Sequence, residues 1–182
     1  GFIAQVKKLE LMCGLAGWFG PSPNYESALA TLHAMTRTIR HRGPDGEGFH
    51  VDDLAALGHV RLAIIDREGG GQPMFDVARR GVIAYNGEAY NFPELRAGLL
   101  ASGCRLQTRT DTETALSLYL EQGVAGVARL SGMFAFAIWE PEARRGVLVR
   151  DRQGIKPLFY IQEGERLYFA SEAKAMFAAG FP

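Results

Sequence analysis

Cys13 directly follows Met12 and opens an apolar, glycine-rich segment, Cys13-Gly14-Leu15-Ala16-Gly17-Trp18-Phe19-Gly20. If translation starts at Met12 and the methionine is removed, Cys13 becomes the first residue. It then carries a thiol nucleophile together with a free α-amine. The unperturbed pKa of such an amine, about 7.7–8.0, leaves a usable fraction as base near neutrality. One residue would supply both halves of an acyl-transfer site. The competing reading is a buried packing cysteine, the ordinary fate of this residue type. While Gly1 to Met12 remain attached, the Cys13 nitrogen is a peptide nitrogen and has no basicity. That leader reads as a tag, an over-extended reading frame or a propeptide. Lys7-Lys8 resembles the charged start of a signal peptide, but Glu10 interrupts the apolar stretch and no small-residue cleavage site follows.

Five further residues could complete such a site. Asn86-Gly87 could offer a side-chain amide and a backbone N–H to a developing oxyanion. Asn-Gly is also the strongest short hairpin signal, and the residues alone favour a turn. Arg61 lies in an otherwise apolar run (Val60, Leu62, Ile64, Ile65), where a guanidinium needs a partner such as a carboxylate held by both arms of its fork. The alternative is an outward-facing strand arginine. Asp111 could hold an ammonium, or simply favour the first turn of a helix through the helix dipole. Arg42 could brace the nucleophile's loop or be a solvated turn residue. The four histidines, His33, His41, His50 and His59, show no metal-ligand spacing, and a terminal-cysteine mechanism needs no histidine base.

The elements that must hold these residues follow from pattern. The 182 residues suit one domain with a real core. Zero net charge and the absence of a basic run exclude a typical nucleic-acid binder, and no apolar run approaches the ~20 residues of a membrane helix. Cys13 and Cys104 form no CxxC pair, which suits a reducing, cytoplasmic setting. A short strand to about Phe19 is followed by an amphipathic helix from Tyr25 to about Arg40, with Leu32, Met35 and Ile39 on one face. His41 to Gly46 reads as a turn. Strands are expected at Phe49 to Val51, Leu54 to Ile65 and Gly81 to Tyr85, with a loop at Gly69 to Pro73 that lacks the ending of a phosphate-binding loop. Helices are expected from an Asn91 cap to Ser102, and from Asp111 to about Gln122 behind a Thr110/Glu113 capping box. Phe134 to Trp139 reads as a strand buried on both faces. Short strands at Gly146 to Arg150, Leu158 to Ile161 and Arg166 to Ala170, and a helix from Ser171 towards Ala179, complete an α+β layered domain.

Several motifs in order resemble the N-terminal glutaminase domain of asparagine synthases, the class II glutamine amidotransferases. They are Met12-Cys13-Gly14, HRGPDGEG (His41 to Gly48), HVRLAIID (His59 to Asp66), GGGQPM (Gly69 to Met74), YNGEAYN (Tyr85 to Asn91), RTDTE (Arg109 to Glu113), DRQGIKPLFY (Asp151 to Tyr160) and ASEAKA (Ala170 to Ala175). Ala89 and Gln153 depart from the pattern at positions away from the chemistry.

The resemblance implies a four-layer αββα sandwich of the N-terminal-nucleophile hydrolase type over residues 13–182, and hydrolysis of L-glutamine through a Cys13 thioester. It implies Asn86 and Gly87 as the oxyanion hole, and Arg61 on the substrate α-carboxylate. Glu88 and Asp111 would hold its α-ammonium, Ile64 and Ile65 would line the pocket, and Arg42 would support the nucleophile. No metal or other cofactor is expected for this half reaction. ATP and Mg²⁺ belong to a C-terminal synthetase domain, the expected partner, whose SGGxDS-type loop does not occur in these 182 residues. Two alternatives stand beside it. One is a non-catalytic glutamine-binding or docking domain if the leader is retained. The other is an amidohydrolase for another substrate, which Arg61 and Asp111 together disfavour. Nothing in the sequence sets an oligomeric state.

Overall fold

Alternation along the strands sorts the buried side chains into three clusters, and the clusters define four layers. In the computed structural model, which describes residues 12–62 and 71–181, β1 (Gly14–Phe19) is buried along its whole length. Its residues alternate in direction, as a strand requires. Ala16 and Trp18 join Leu32, Met35 and Ile39 of the first helical layer. Leu15 and Phe19 point the other way, into a layer shared with Val82, Ala84, Ala137 and Trp139. On the far side of that second group of strands, Ile83, Tyr85, Phe136 and Ile138 pack against Leu95, Leu99, Leu116 and Leu118. The order is therefore helix, sheet, sheet, helix.

The first sheet has the order β2-β3-β1-β9-β8, with β2 (Gly46–Val51), β3 (Ala55–Arg61), β8 (Phe159–Glu163) and β9 (Arg166–Ala170). The second has the order β4-β5-β6-β7, with β4 (Met74–Phe75), β5 (Val82–Ala89), β6 (Gly132–Glu140) and β7 (Arg145–Arg150). Every strand pair is antiparallel. Helix α1 (Tyr25–Thr38) and the short α4 (Lys174–Phe177) cover the first sheet; α2 (Phe92–Ala101) and α3 (Asp111–Val127) cover the second. This is the expected α+β four-layer sandwich. Among the described residues no helix is long and apolar enough to cross a membrane.

Local differences from the sequence reading have physical causes. Asn91 stands at the N-cap position of α2, as expected, but its side chain makes no capping hydrogen bond. Its Oδ1 accepts from Ser131 N–H and its Nδ2 donates to the Arg129 carbonyl, so it ties the helix start to the approach to β6. The Thr110/Glu113 box is half formed. Thr110 Oγ1 accepts from the Glu113 N–H at 3.2 Å, but the buried Glu113 carboxylate turns to the preceding loop, to Gln107 N–H and Thr108 N–H, each at 2.7 Å. Gly123, at φ 61°, interrupts α3 one residue past its expected end, and a further turn follows. The final helix is only four residues long, shorter than expected.

Candidate active site

Cys13 lies just before β1 and has the parity of Leu15, so it faces the layer between the sheets. Phe19, at the other end of β1, stacks on Trp139 with ring centroids 5.8 Å apart, and Trp139 pairs with Val82 at the start of β5. The two strands therefore run in opposite senses across the interlayer, which brings the Cys13 end over the Asn86 end of β5. Leu62 brackets the thiol: its N–H donates to Sγ at 3.3 Å, and Sγ donates to its carbonyl at 3.7 Å. Arg42 holds the same residue from behind, Nε donating to the Cys13 carbonyl at 3.2 Å and Nη1 to Glu172 at 3.0 Å. Glu172 in turn meets Lys174 and His41, each at 2.9 Å. Gly43 lets this turn approach β3, since a Cβ there would come within 2.3 Å of the Val60 carbonyl carbon.

Burial pushes the Cys13 thiol above its usual range, against the Leu62 N–H and the charges of Arg61 and Lys156, which favour the thiolate. The thiol is therefore neutral at physiological pH and needs a base.

Asn86 and Gly87 are not a hairpin turn. Both sit inside β5, paired with Ala135 and Phe134 of β6, so the long ladder overrides the local turn signal. Asn86 shares its parity with Val82 and Ala84 and faces the interlayer. It is 1% exposed, and its Nδ2 has no acceptor among the described residues. A buried amide donor without a partner is costly unless a ligand supplies one. Tyr85 N–H donates to Gln72 Oε1 at 2.6 Å and Ala89 N–H to Asp111 Oδ2 at 3.0 Å, both on the edge away from β6. The two-residue period puts the Gly87 N–H on that same edge. Gly87 has φ 153°, and a Cβ would meet the Met133 carbonyl oxygen at 2.2 Å, so only glycine fits.

Asp111 opens α3 with one carboxylate oxygen on Ala89 N–H and the other on Thr112 N–H, each at 3.0 Å. Burial raises its pKa against those donors and the Tyr85 hydroxyl. Glu88, exposed on β5, directly precedes Ala89, the residue whose N–H binds Asp111. Arg61 closes β3, and its charge acts on both Cys13 and His59. Ile64 and Ile65 lie outside the described residues.

Other residues enter the site without having been singled out from sequence. Lys156 is 3% exposed and donates from Nζ to the Met12 thioether. Asp151, Glu172 and Gln72 hold Lys156, Arg42 and β5 in place respectively. Each sat in a motif quoted above, and that was the only available signal. Among the described residues no group of three His, Cys, Asp or Glu side chains could hold a metal ion. A surface cleft of 570 Å³, lined by Phe19, Leu54, Trp139, Arg144 and Arg166, lies at the opposite end of the sandwich, away from the candidate residues.

Residues 12–181 match the family model described as a glutamine amidotransferase domain. The chain belongs to the glutamine amidotransferase domain family. It is 40% identical over 169 residues to asparagine synthetase [glutamine-hydrolyzing] 3 of Bacillus subtilis, which covers 92% of this chain and 28% of the relative. It is 39% identical over 167 residues to asparagine synthetase B of Escherichia coli, covering 91% and 30%. The chain thus spans less than a third of the length of these relatives. Among solved structures, the glutamine phosphoribosylpyrophosphate amidotransferase of B. subtilis superposes with a TM-score of 0.76 at 24% identity, over 92% of this chain and 44% of that one. The allosteric regulatory enzyme of purine biosynthesis gives 0.74 at 26% identity, over 92% and 43%. This amidotransferase domain therefore has the fold of the N-terminal-nucleophile hydrolases.

Proposed function

We propose that this domain hydrolyses L-glutamine to glutamate and ammonia through a thioester on Cys13. The observation that carries the reading is the unpartnered Asn86 amide, buried on the face that meets the Cys13 end of β1. Once Cys13 is terminal, its α-amine takes the thiol proton and the sulfur attacks the side-chain amide carbon of glutamine. Asn86 Nδ2 and the Gly87 N–H stabilise the oxyanion. Collapse of the intermediate breaks the C–N bond, and the amine returns its proton to the departing nitrogen, releasing ammonia. Water, deprotonated by the same amine, then attacks the thioester; glutamate leaves and the thiol is restored. Arg61 takes the substrate α-carboxylate, Glu88 and Asp111 its α-ammonium, and Ile64 and Ile65 complete the pocket. Arg42 keeps the nucleophile in place. These steps balance without a metal or other cofactor.

In the parent protein the ammonia passes to a synthetase domain; the support is that the relatives are named glutamine-hydrolyzing asparagine synthetases and that the matched segment covers only 28% and 30% of them. The free thiols of Cys13 and Cys104 suit the reducing cytoplasm.

The test is ammonia release by the chain expressed from Gly1 and from Met12, the second confirmed by mass to begin at Cys13. Activity is expected only in the second, and Cys13→Ala abolishes it. Turnover retained by Cys13→Ala overturns the reading, and equal inactivity of two folded forms favours a domain that only binds or docks.

A further inference from the structure

The loop between β7 and β8 is built around one side chain. Asp151 accepts hydrogen bonds from the backbone N–H groups of Phe134, Gln153, Ile155 and Lys156, at 2.9 to 3.3 Å. Arg150 closes the loop from outside, donating to the Lys156 and Gly154 carbonyls at 2.8 Å each. Six hydrogen bonds to two charged side chains fix Lys156 on a rigid base, and they do so in order to carry a lysine inward. Its side chain is buried, and its ammonium rests on the thioether of Met12, the residue joined to the Cys13 nitrogen. A thioether is a weak acceptor and a poor partner for a buried cation. Packing alone would be better served by methionine or leucine at this position.

We infer that Lys156 is a positioning residue for the terminal nucleophile, its cation lying beside the α-amine of Cys13 once Met12 is removed and holding that amine in its unprotonated, basic form. The inference rests on the proposed terminal-cysteine chemistry. A second positive charge next to Lys156 is disfavoured, so the amine loses its proton at lower pH than it otherwise would. The same cation favours a thiolate, and that offsets the loss of base strength it imposes on the amine in the internal proton transfer. The charged groups around the site are Arg42 from the turn after α1, Arg61 from β3, Glu88 from β5, Asp151 from the loop itself and Glu172 behind Arg42. Arg42 and Arg61 add to the positive field, while Glu88 and Asp151 oppose it. Glu172 is engaged by Arg42, His41 and Lys174. Among the charged side chains of the described residues, Lys156 is the one that touches Met12, on the nitrogen side of Cys13.

The test uses the chain that begins at Cys13, as wild type, Lys156→Met and Lys156→Arg. The kcat/KM for glutamine is followed from pH 5.5 to 9, since its acidic limb reports the base of the free enzyme. Lys156→Met is expected to lose about tenfold at pH 6.5 and little at pH 9, with KM changed less than kcat. Lys156→Arg keeps the cation and restores most of the acidic limb, a rescue that a purely structural role does not predict. In parallel, ¹⁵N NMR of the chain labelled with ¹⁵N-cysteine follows the amine titration without turnover. A raised amine midpoint in Lys156→Met supports the inference even if no ammonia is released, in which case the glutaminase reading alone fails. Superimposable titrations in a folded Lys156→Met overturn it, whatever the activity.

Discussion

Asn86 is the residue whose environment most constrains the chemistry. A side chain 1% exposed with an amide donor facing no acceptor among the described residues is a standing cost in the free protein. A developing oxyanion would relieve that cost in the transition state, where relief accelerates a reaction. Asn86→Ala should therefore lower kcat for ammonia release by about 10²–10³, roughly 2.7–4 kcal/mol, with a much smaller change in KM. Because the donor has no partner to strand, the melting temperature should stay close to wild type or rise. A large fall in stability with unchanged kcat would assign Asn86 to packing. Cys13 carries the complementary constraint. Burial raises its thiol pKa, so the site does not store a thiolate and depends on a base at the moment of attack. Hence Cys13→Ser, which keeps the amine but puts a hydroxyl in place of the softer sulfur nucleophile, should fall to a small residual activity.

Elements show why such residues can occupy these places. β5 carries Asn86 inward and the Gly87 N–H to its free edge only because it remains a strand through Ala89, paired residue for residue with β6. Gly87→Ala should cost roughly 3 kcal/mol or more in urea unfolding. It combines a positive-φ backbone with a Cβ at 2.2 Å from the Met133 carbonyl oxygen. An unchanged urea midpoint would mean that β5 bends freely there and does not fix the donor. The same elements mark the reach of sequence reasoning. Periodicity located α1, since Leu32, Met35 and Ile39 share one buried face, and the six apolar residues of β6 declared a strand covered on both sides. Asn-Gly was misjudged from its residues alone because a two-residue turn signal carries no information about an eight-residue ladder. The destinations of Asn91 and Glu113 escaped for a similar reason: a helix start is written locally, but the partner of its polar side chain is not. Arg42 to Glu172 spans 130 positions and Lys156 to Met12 spans 144, so only the folded chain brings them together.

The sandwich as a whole imposes a further condition: a polar side chain between its sheets must stay neutral or be matched. His59 is such a group. It points into the interlayer from β3, is fully buried, and meets the Tyr85 carbonyl at 3.0 Å through Nε2. A carbonyl only accepts, so Nε2 carries the proton, and Nδ1 has no partner among the described residues. His59 thus ties the first sheet to β5 one residue before Asn86. Burial lowers its pKa to about 4, against the Tyr85 carbonyl, which favours the protonated form, and with help from the Arg61 charge. An exposed histidine in the unfolded chain titrates near 6.5, so between these values the unfolded state binds more protons than the folded one. Stability therefore rises with pH across this window. The contribution is complete above about pH 6.5 and is lost as pH falls towards 4, to the extent of about 3 kcal/mol. Asp111 works in the opposite sense, because its raised pKa makes the folded state the better proton binder in the acid range. The total slope mixes these groups, and the histidine must be read by difference. His59→Gln keeps a donor for the Tyr85 carbonyl and removes the titration. Urea unfolding of the two proteins should give similar stabilities at pH 7.5 and diverge steadily towards pH 4.5, wild type losing more. Parallel pH curves would mean that His59 can take up a proton within the sandwich, and that the link between the two sheets at the Asn86 end is looser than the buried geometry requires.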